Sequence, residues 1–157
     1  MAVTIAGSVE RMVTEDDEPY LGVPVTREPI RPYLEALRSY LSDADYRLYT
    51  DNQQIRDRGT YHITIINPRE YGAIPPPLLE GLVGKAGAVA MLGIGVAERA
   101  GDRAFFIVCE SPLLQGLRRQ VGLDESDLHV TLGFNRSDRH DVRKDLGTLI
   151  RGPQRPW

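Results

Sequence analysis

The stretches Tyr61-His62-Ile63-Thr64-Ile65-Ile66 and Leu128-His129-Val130-Thr131-Leu132-Gly133-Phe134 decide how the rest of the chain is read. Each is a short run of β-branched and apolar residues, the composition of a strand, and Asn67-Pro68 stops the first. Side chains alternate faces along a strand, so His62 and Thr64 point one way while Tyr61, Ile63 and Ile65 point the other. The second stretch repeats the pattern. His129 and Thr131 share one face, and Leu128, Val130, Leu132 and Phe134 are expected on the other, toward a core. The chain has three histidines, and two of them sit in this one motif, 67 positions apart. A duplicated half is the simplest origin. If the halves face each other, two imidazoles and two hydroxyls converge on one cleft.

Such a set suits phosphoryl transfer. A neutral imidazole can take a proton from water or a hydroxyl, and a protonated one can give a proton to the leaving oxygen. The ordinary His pKa of about 6.5 lets both forms coexist near neutral pH. Threonine hydroxyls can donate to the non-bridging phosphate oxygens. The competing readings are a pair of packed strand histidines and a metal site. The second lacks a third ligand at metal spacing, and no metal or cofactor is expected. His140, in Ser137-Asp138-Arg139-His140-Asp141, is expected on the surface.

Around these strands, residues 3–13 predict a strand and residues 15–19 an exposed acidic loop. Residues 29–41 predict a helix, with Tyr33, Leu34, Leu37, Tyr40 and Leu41 on one face and Pro32 near its first turn. A short strand is expected over 47–50 and a polar loop over 51–59. Pro75-Pro76-Pro77 leads into a short helix over 78–85. Two apolar runs, 88–98 and 103–110, flank Gly101-Asp102 as a hairpin. Ser111 before Pro112 predicts a capped helix to about residue 121. Residues 141–150 are expected to be helical. Strands and helices that do not alternate favour α+β over a doubly wound sheet.

With 157 residues, of which 41% are hydrophobic and 26% charged, the chain can bury a core without staples, and a single domain over 1–157 is expected. No apolar run reaches the roughly 18–20 residues of a membrane helix, and no secretory signal is visible, so a cytoplasmic protein without membrane attachment is expected. One cysteine, Cys109, excludes an intrachain disulfide framework and reads as a buried, inert thiol. The net charge is −3, too acidic for a generic nucleic-acid coat. The charge is uneven, because residues 136–157 carry six basic and three acidic side chains. That segment is a solvated surface or a basic rim beside a phosphate site.

The paired motif resembles that of the 2H phosphoesterase superfamily: an apolar residue, His, an apolar residue, Ser or Thr, and an apolar residue, twice. Residues 61–65 and 128–132 both satisfy it. The resemblance implies an α+β, bilobal 2H phosphoesterase-like fold, with two pseudo-symmetric lobes and antiparallel sheets around a central cleft. It implies that His62 and His129 are general acid and base, in an order the sequence does not give, and that Thr64 and Thr131 bind the phosphate. Further candidates for substrate contact are Arg136, directly after the second strand, Phe134 despite its core parity, and Tyr61. Tyr20, Tyr49, Tyr71 and Trp157 are candidate platforms for a base or sugar ring. The expected substrate is a cyclic phosphodiester, foremost the 2′,3′-cyclic phosphate of a nucleotide or RNA end, and a monomer is expected to act on it. The alternatives are a phosphodiesterase for 3′,5′-linked cyclic nucleotide or oligonucleotide signals, and a non-catalytic nucleotide- or RNA-binding module.

Overall fold

Runs of β-branched residues become strands here, and apolar residues at three- and four-residue spacing become helices. The computed structural model describes residues 3–138 and 140–150. Its strands are β1 (Val3–Ser8), β2 (Glu10–Val13), β3 (Pro19–Val25), β4 (Tyr61–Ile66), β5 (Ala86–Arg99), β6 (Asp102–Glu110) and β7 (His129–Phe134). Its helices are α1 (Arg27–Arg38), α2 (Asp43–Arg56), α3 (Pro68–Ala73), α4 (Pro76–Glu80) and α5 (Pro112–Gln120). This is the expected α+β layout. All seven strands pair antiparallel in one sheet of order β1-β5-β6-β7-β4-β3-β2. The two halves are therefore merged, with β4 and β7, the motif strands, side by side in the middle.

The sheet is curled because its two edges share one piece of chain. β1 lies on one edge and β2 on the other, yet only Val9 separates them. Val9 is fully buried, donates to the Lys85 carbonyl and accepts from the Gly84 N–H. One extended segment thus forms both edges of the sheet and joins them at Val9.

Helices α1, α2 and α5 cover one face. Ile30, Tyr33, Leu34 and Leu37 of α1 and Leu114 and Leu117 of α5 join Ile63, Ile65, Val130 and Leu132 in the main hydrophobic cluster. The capped start of α5 is as expected, with the Ser111 hydroxyl accepting from the Leu114 N–H. The β5–β6 turn is Ala100-Gly101, both at positive φ, one residue earlier than the expected Gly101-Asp102.

Three expectations fail. Residues 43–56 form a helix, not a strand and a loop. The α2 sequence is polar and buries only Tyr49 and Gln53, because it docks where β7 presents Gly133. A Cβ on Gly133 would lie 2.8 Å from the Tyr49 carbonyl carbon and oxygen, so helix and strand meet at backbone contact and need no apolar stripe. The segment 141–150 is not an α-helix; it is extended coil with one 3₁₀ turn at Leu146–Thr148. Its Arg143 and Lys144 are drawn to Asp127 and Asp138 instead. The helix expected over 78–85 is the shorter α4.

Candidate active site

Both motif strands carry a bulge at the same place. Gly22 of β3 pairs with Thr64, but Leu21 pairs with Ile66, so Ile65 is the extra residue. Phe106 of β6 pairs with Thr131, but Phe105 pairs with Gly133, so Leu132 is the extra residue. Each bulge falls immediately after the motif threonine. A bulge re-aims the side chains beyond it. It turns Gly133 toward α2 and turns Phe134 off the core face, where strict alternation placed it. Phe134 lies instead under the Arg56 guanidinium, 5.0 Å from ring centre to Cζ, and lines a side cavity of about 420 Å³.

Ile63 pairs directly with Val130. In that antiparallel register His62 stands opposite Thr131, and Thr64 stands opposite His129. The two histidines are diagonal neighbours on one face, a relation that in a regular ladder means a separation of about 7–8 Å, somewhat less at Cβ, within reach of one phosphate. All four side chains line one cleft of about 940 Å³. The β5–β6 side of this face is closed by a second small cluster, Ala97, Phe106 and Val108, over which Val142 and Leu149 pack. The cleft is what remains open between that cover and the β2–β3 hairpin.

The two imidazoles have different surroundings. His129 Nδ1 lies 2.6 Å from the Asp127 carbonyl, which can only accept, so Nδ1 carries the proton and Nε2 is the free nitrogen. The His129 ring also meets the Phe106 ring edge-on at 5.7 Å. Burial, helped by the nearby Lys144 ammonium, pushes the His129 pKa down to about 4. Among the described residues His62 has no hydrogen-bond partner; its ring lies 5.5 Å from that of Tyr20. Burial lowers its pKa too, partly opposed by Asp57. Burial thus favours the neutral form of both rings over the balance of forms expected of an unperturbed imidazole.

The threonines also differ. The half-buried Thr64 hydroxyl has no hydrogen-bond partner among the described residues. The Thr131 hydroxyl donates to Asp138 at 3.1 Å. Asp138 was not singled out from the sequence, and neither were Lys144 and Arg56. Their side chains meet because the chain after β7 folds back into the cleft. Asp138 accepts from Lys144 Nζ and Arg56 Nη1, each at 2.8 Å, and both ends of the Asp138–Lys144 pair are 3% exposed. Burial works to raise the Asp138 pKa, but the two cations outweigh it and hold the carboxyl far below the usual range. Arg56 is clamped on its other side by Asp57. Arg143 pairs with both Asp127 oxygens and so braces the loop that orients His129. No local pattern announces these pairs; the only sequence signal is the mixed charge of residues 136–145.

The remaining candidates scatter. Tyr61 is buried on the helical face, its hydroxyl near Arg27 and Gln54, and does not face the cleft. Arg136 is exposed, paired with Asp102, and lines only the side cavity. His140 is exposed on the rim of both cavities. Tyr20 lines the cleft, Tyr49 packs on Phe105 in the core, and Tyr71 packs half-buried against the core. Trp157, Arg139, Arg151 and Arg155 lie outside the described residues. Cys109 is buried, with its thiol pKa pushed up to about 12. Among the described residues no helix is long and apolar enough to cross a membrane, and no three His, Cys, Asp or Glu side chains are grouped to hold a metal ion.

No curated protein and no solved structure gives a significant match to the chain. A family model does match, over residues 32–140, which include both motif strands, α2 and Asp138. The chain belongs to that family, 2H-SAK, the Swiss Army Knife 2H phosphoesterase domain, whose chemistry is hydrolysis of phosphodiester bonds.

Proposed function

We propose that this phosphoesterase hydrolyses a cyclic phosphodiester, foremost the 2′,3′-cyclic phosphate of a nucleotide, without a metal. The observation that carries the reading is the reciprocal register of β4 and β7, which sets His62 and His129 diagonally across one cleft. His129, neutral with Nε2 free, is the general base that takes a proton from the attacking water. The water oxygen bonds to phosphorus, one ring P–O bond breaks, and His62 gives its proton to the departing ribose oxygen. The product is a phosphomonoester. A bound cyclic phosphate is an anion, and its charge raises both imidazole pKa values, supplying the protonated His62 that burial disfavours. Thr64 donates to a non-bridging oxygen; Thr131 can do so only in competition with Asp138.

The charge of the cleft supports a small substrate. Among the described residues eight carboxylates and six Arg or Lys side chains line it, and Glu15, Asp16 and Glu18 of the β2–β3 turn stand at its mouth. A nucleoside cyclic phosphate brings one charge there, whereas an RNA end brings a string of them. The test is ³¹P NMR of the protein in excess EDTA with 2′,3′- and 3′,5′-cyclic nucleotides, beside His62→Ala and His129→Ala. Ring opening of the 2′,3′ substrates by the wild type, reduced at least about 10²-fold in both variants, is expected. Turnover only of 3′,5′ substrates, or turnover that survives both substitutions, overturns the proposal.

A further inference from the structure

Tyr20 is 6% exposed and yet lines the cleft. It lies just before the point where β3 faces the β4 bulge, on the same face as Gly22, which pairs with Thr64, and Pro24, which pairs with His62. Its ring is held down on the sheet. A Cβ at Gly22 would come within 2.9 Å of the Met12 Sδ and 3.3 Å of Tyr20 Cε2, so the missing side chain is what lets the ring lie there. The other neighbour is the His62 ring, tilted 55° at 5.5 Å. A phenol this buried ordinarily finds a partner for its hydroxyl. The Tyr20 hydroxyl has none among the described residues. The charged groups near it are already engaged, Asp57 with Arg56 and Gln53, and Arg56 with Asp57 and Asp138.

An unsatisfied buried hydroxyl is a cost that phenylalanine would avoid. Of the hydroxyls nearest the motif histidines, those of Thr64 and Tyr20, both on the β3–β4 side, have no hydrogen-bond partner among the described residues, whereas that of Thr131 is engaged by Asp138. We infer that the Tyr20 hydroxyl is a phosphate ligand: with Thr64 it forms a two-donor clamp on the non-bridging oxygens, so the anion is gripped from the His62 side. This rests on the phosphoesterase reading above and adds a substrate-binding residue outside the paired motifs. The hydroxyl keeps its proton for this purpose, since burial, reinforced by Asp57, pushes its pKa up to about 12.

Tyr20→Phe removes one oxygen and leaves the ring. The experiment compares wild type and Tyr20→Phe in three readouts: melting temperature, affinity for inorganic phosphate followed by the imidazole NMR signals, and kcat/KM on uridine 2′,3′-cyclic phosphate. The expected result is an unchanged or higher melting temperature, about tenfold weaker phosphate binding, and kcat/KM down by about 10- to 100-fold. A structural hydroxyl would instead lower the melting temperature and leave phosphate affinity alone. Equal phosphate affinity in the two proteins, or none in either, overturns the inference whatever the turnover. If the wild type opens no cyclic substrate but Tyr20→Phe still weakens phosphate binding, the substrate proposal fails while the clamp stands.

Discussion

A histidine taken out of water holds its proton less tightly, and both motif histidines are so placed. The sign of the resulting pH dependence follows. The general base must be neutral, and His129 becomes neutral as pH rises through about 4. The general acid must be protonated, and His62 loses its proton as pH rises through a value below the ordinary 6.5. The kcat/KM profile reports free-enzyme groups, so its maximum is expected on the acid side of 6.5, with the fall at higher pH set by the pair. The kcat profile should lie at higher pH, because bound anion raises both groups. Lys144→Met removes a buried positive charge that depresses His129, so it should move the low-pH limb of kcat/KM upward. A low-pH limb that stays put in this variant would mean that His129 does not set it. The roles themselves separate by leaving group. His62→Ala should regain most activity on a p-nitrophenyl phosphodiester, whose leaving oxygen needs no proton, and His129→Ala should not.

Elements whose reasons are local were legible in the sequence. β4 begins and ends where β-branched residues begin and Asn67-Pro68 intervenes, and α5 starts at its Ser111 cap. So were the four motif residues of the site, because alternation alone puts His and Thr on one face. The rest was hidden for reasons that lie far away in sequence. Phe134 defied alternation because of a bulge whose only mark is the register with β6. Asp138 enters the cleft through its pair with Arg56, 82 positions away, and Arg143 and Lys144 are held by Asp127 from 16 and 17 positions away, which also denies residues 141–150 a helix. Helix α2 looks like loop because its contact surface is a glycine on another strand. That last point is testable. Gly133→Ala puts a methyl group against the Tyr49 backbone, which cannot swing away, and should cost about 1–3 kcal/mol. In urea unfolding the midpoint should fall with the slope unchanged. Gly72→Ala, in α3 with nothing within 4 Å of its Cβ, is the control and should leave the midpoint unchanged or raise it. Equal midpoints for Gly133→Ala and wild type would show that α2 does not sit this close to β7.

At the scale of the molecule, the same N-terminal segment that closes the sheet also sets the charge of the cleft. After forming one edge as β1 and the other as β2, the chain turns at residues 14–18, and this turn delivers Glu15, Asp16 and Glu18 to the cleft mouth. Of the cations that line the cleft, Lys144 is paired with Asp138, Arg56 with Asp57 and Asp138, Arg118 with Glu70 and Arg11 with Glu80, while Arg58 and Arg69 have no ion pair among the described residues. At the mouth an approaching polyanion meets three carboxylates that have no ion pair among the described residues, against the two arginines Arg58 and Arg69. Proteins that track nucleic-acid backbones lose affinity as salt rises, because binding releases counterions. Here the opposite is expected. At about 50 mM salt, kcat/KM for a nucleoside 2′,3′-cyclic phosphate should exceed that for an oligonucleotide carrying the same terminal group. At about 500 mM the gap should narrow, because the Debye length shrinks toward a few ångströms and the repulsion is screened. Replacing Glu15, Asp16 and Glu18 together by Gln, Asn and Gln should narrow the gap at low salt, leaving turnover of the small substrate nearly unchanged. A rate on the oligonucleotide that exceeds the small substrate's at low salt and falls as salt is added would identify an RNA end as the substrate and show that the acidic mouth does not select against it.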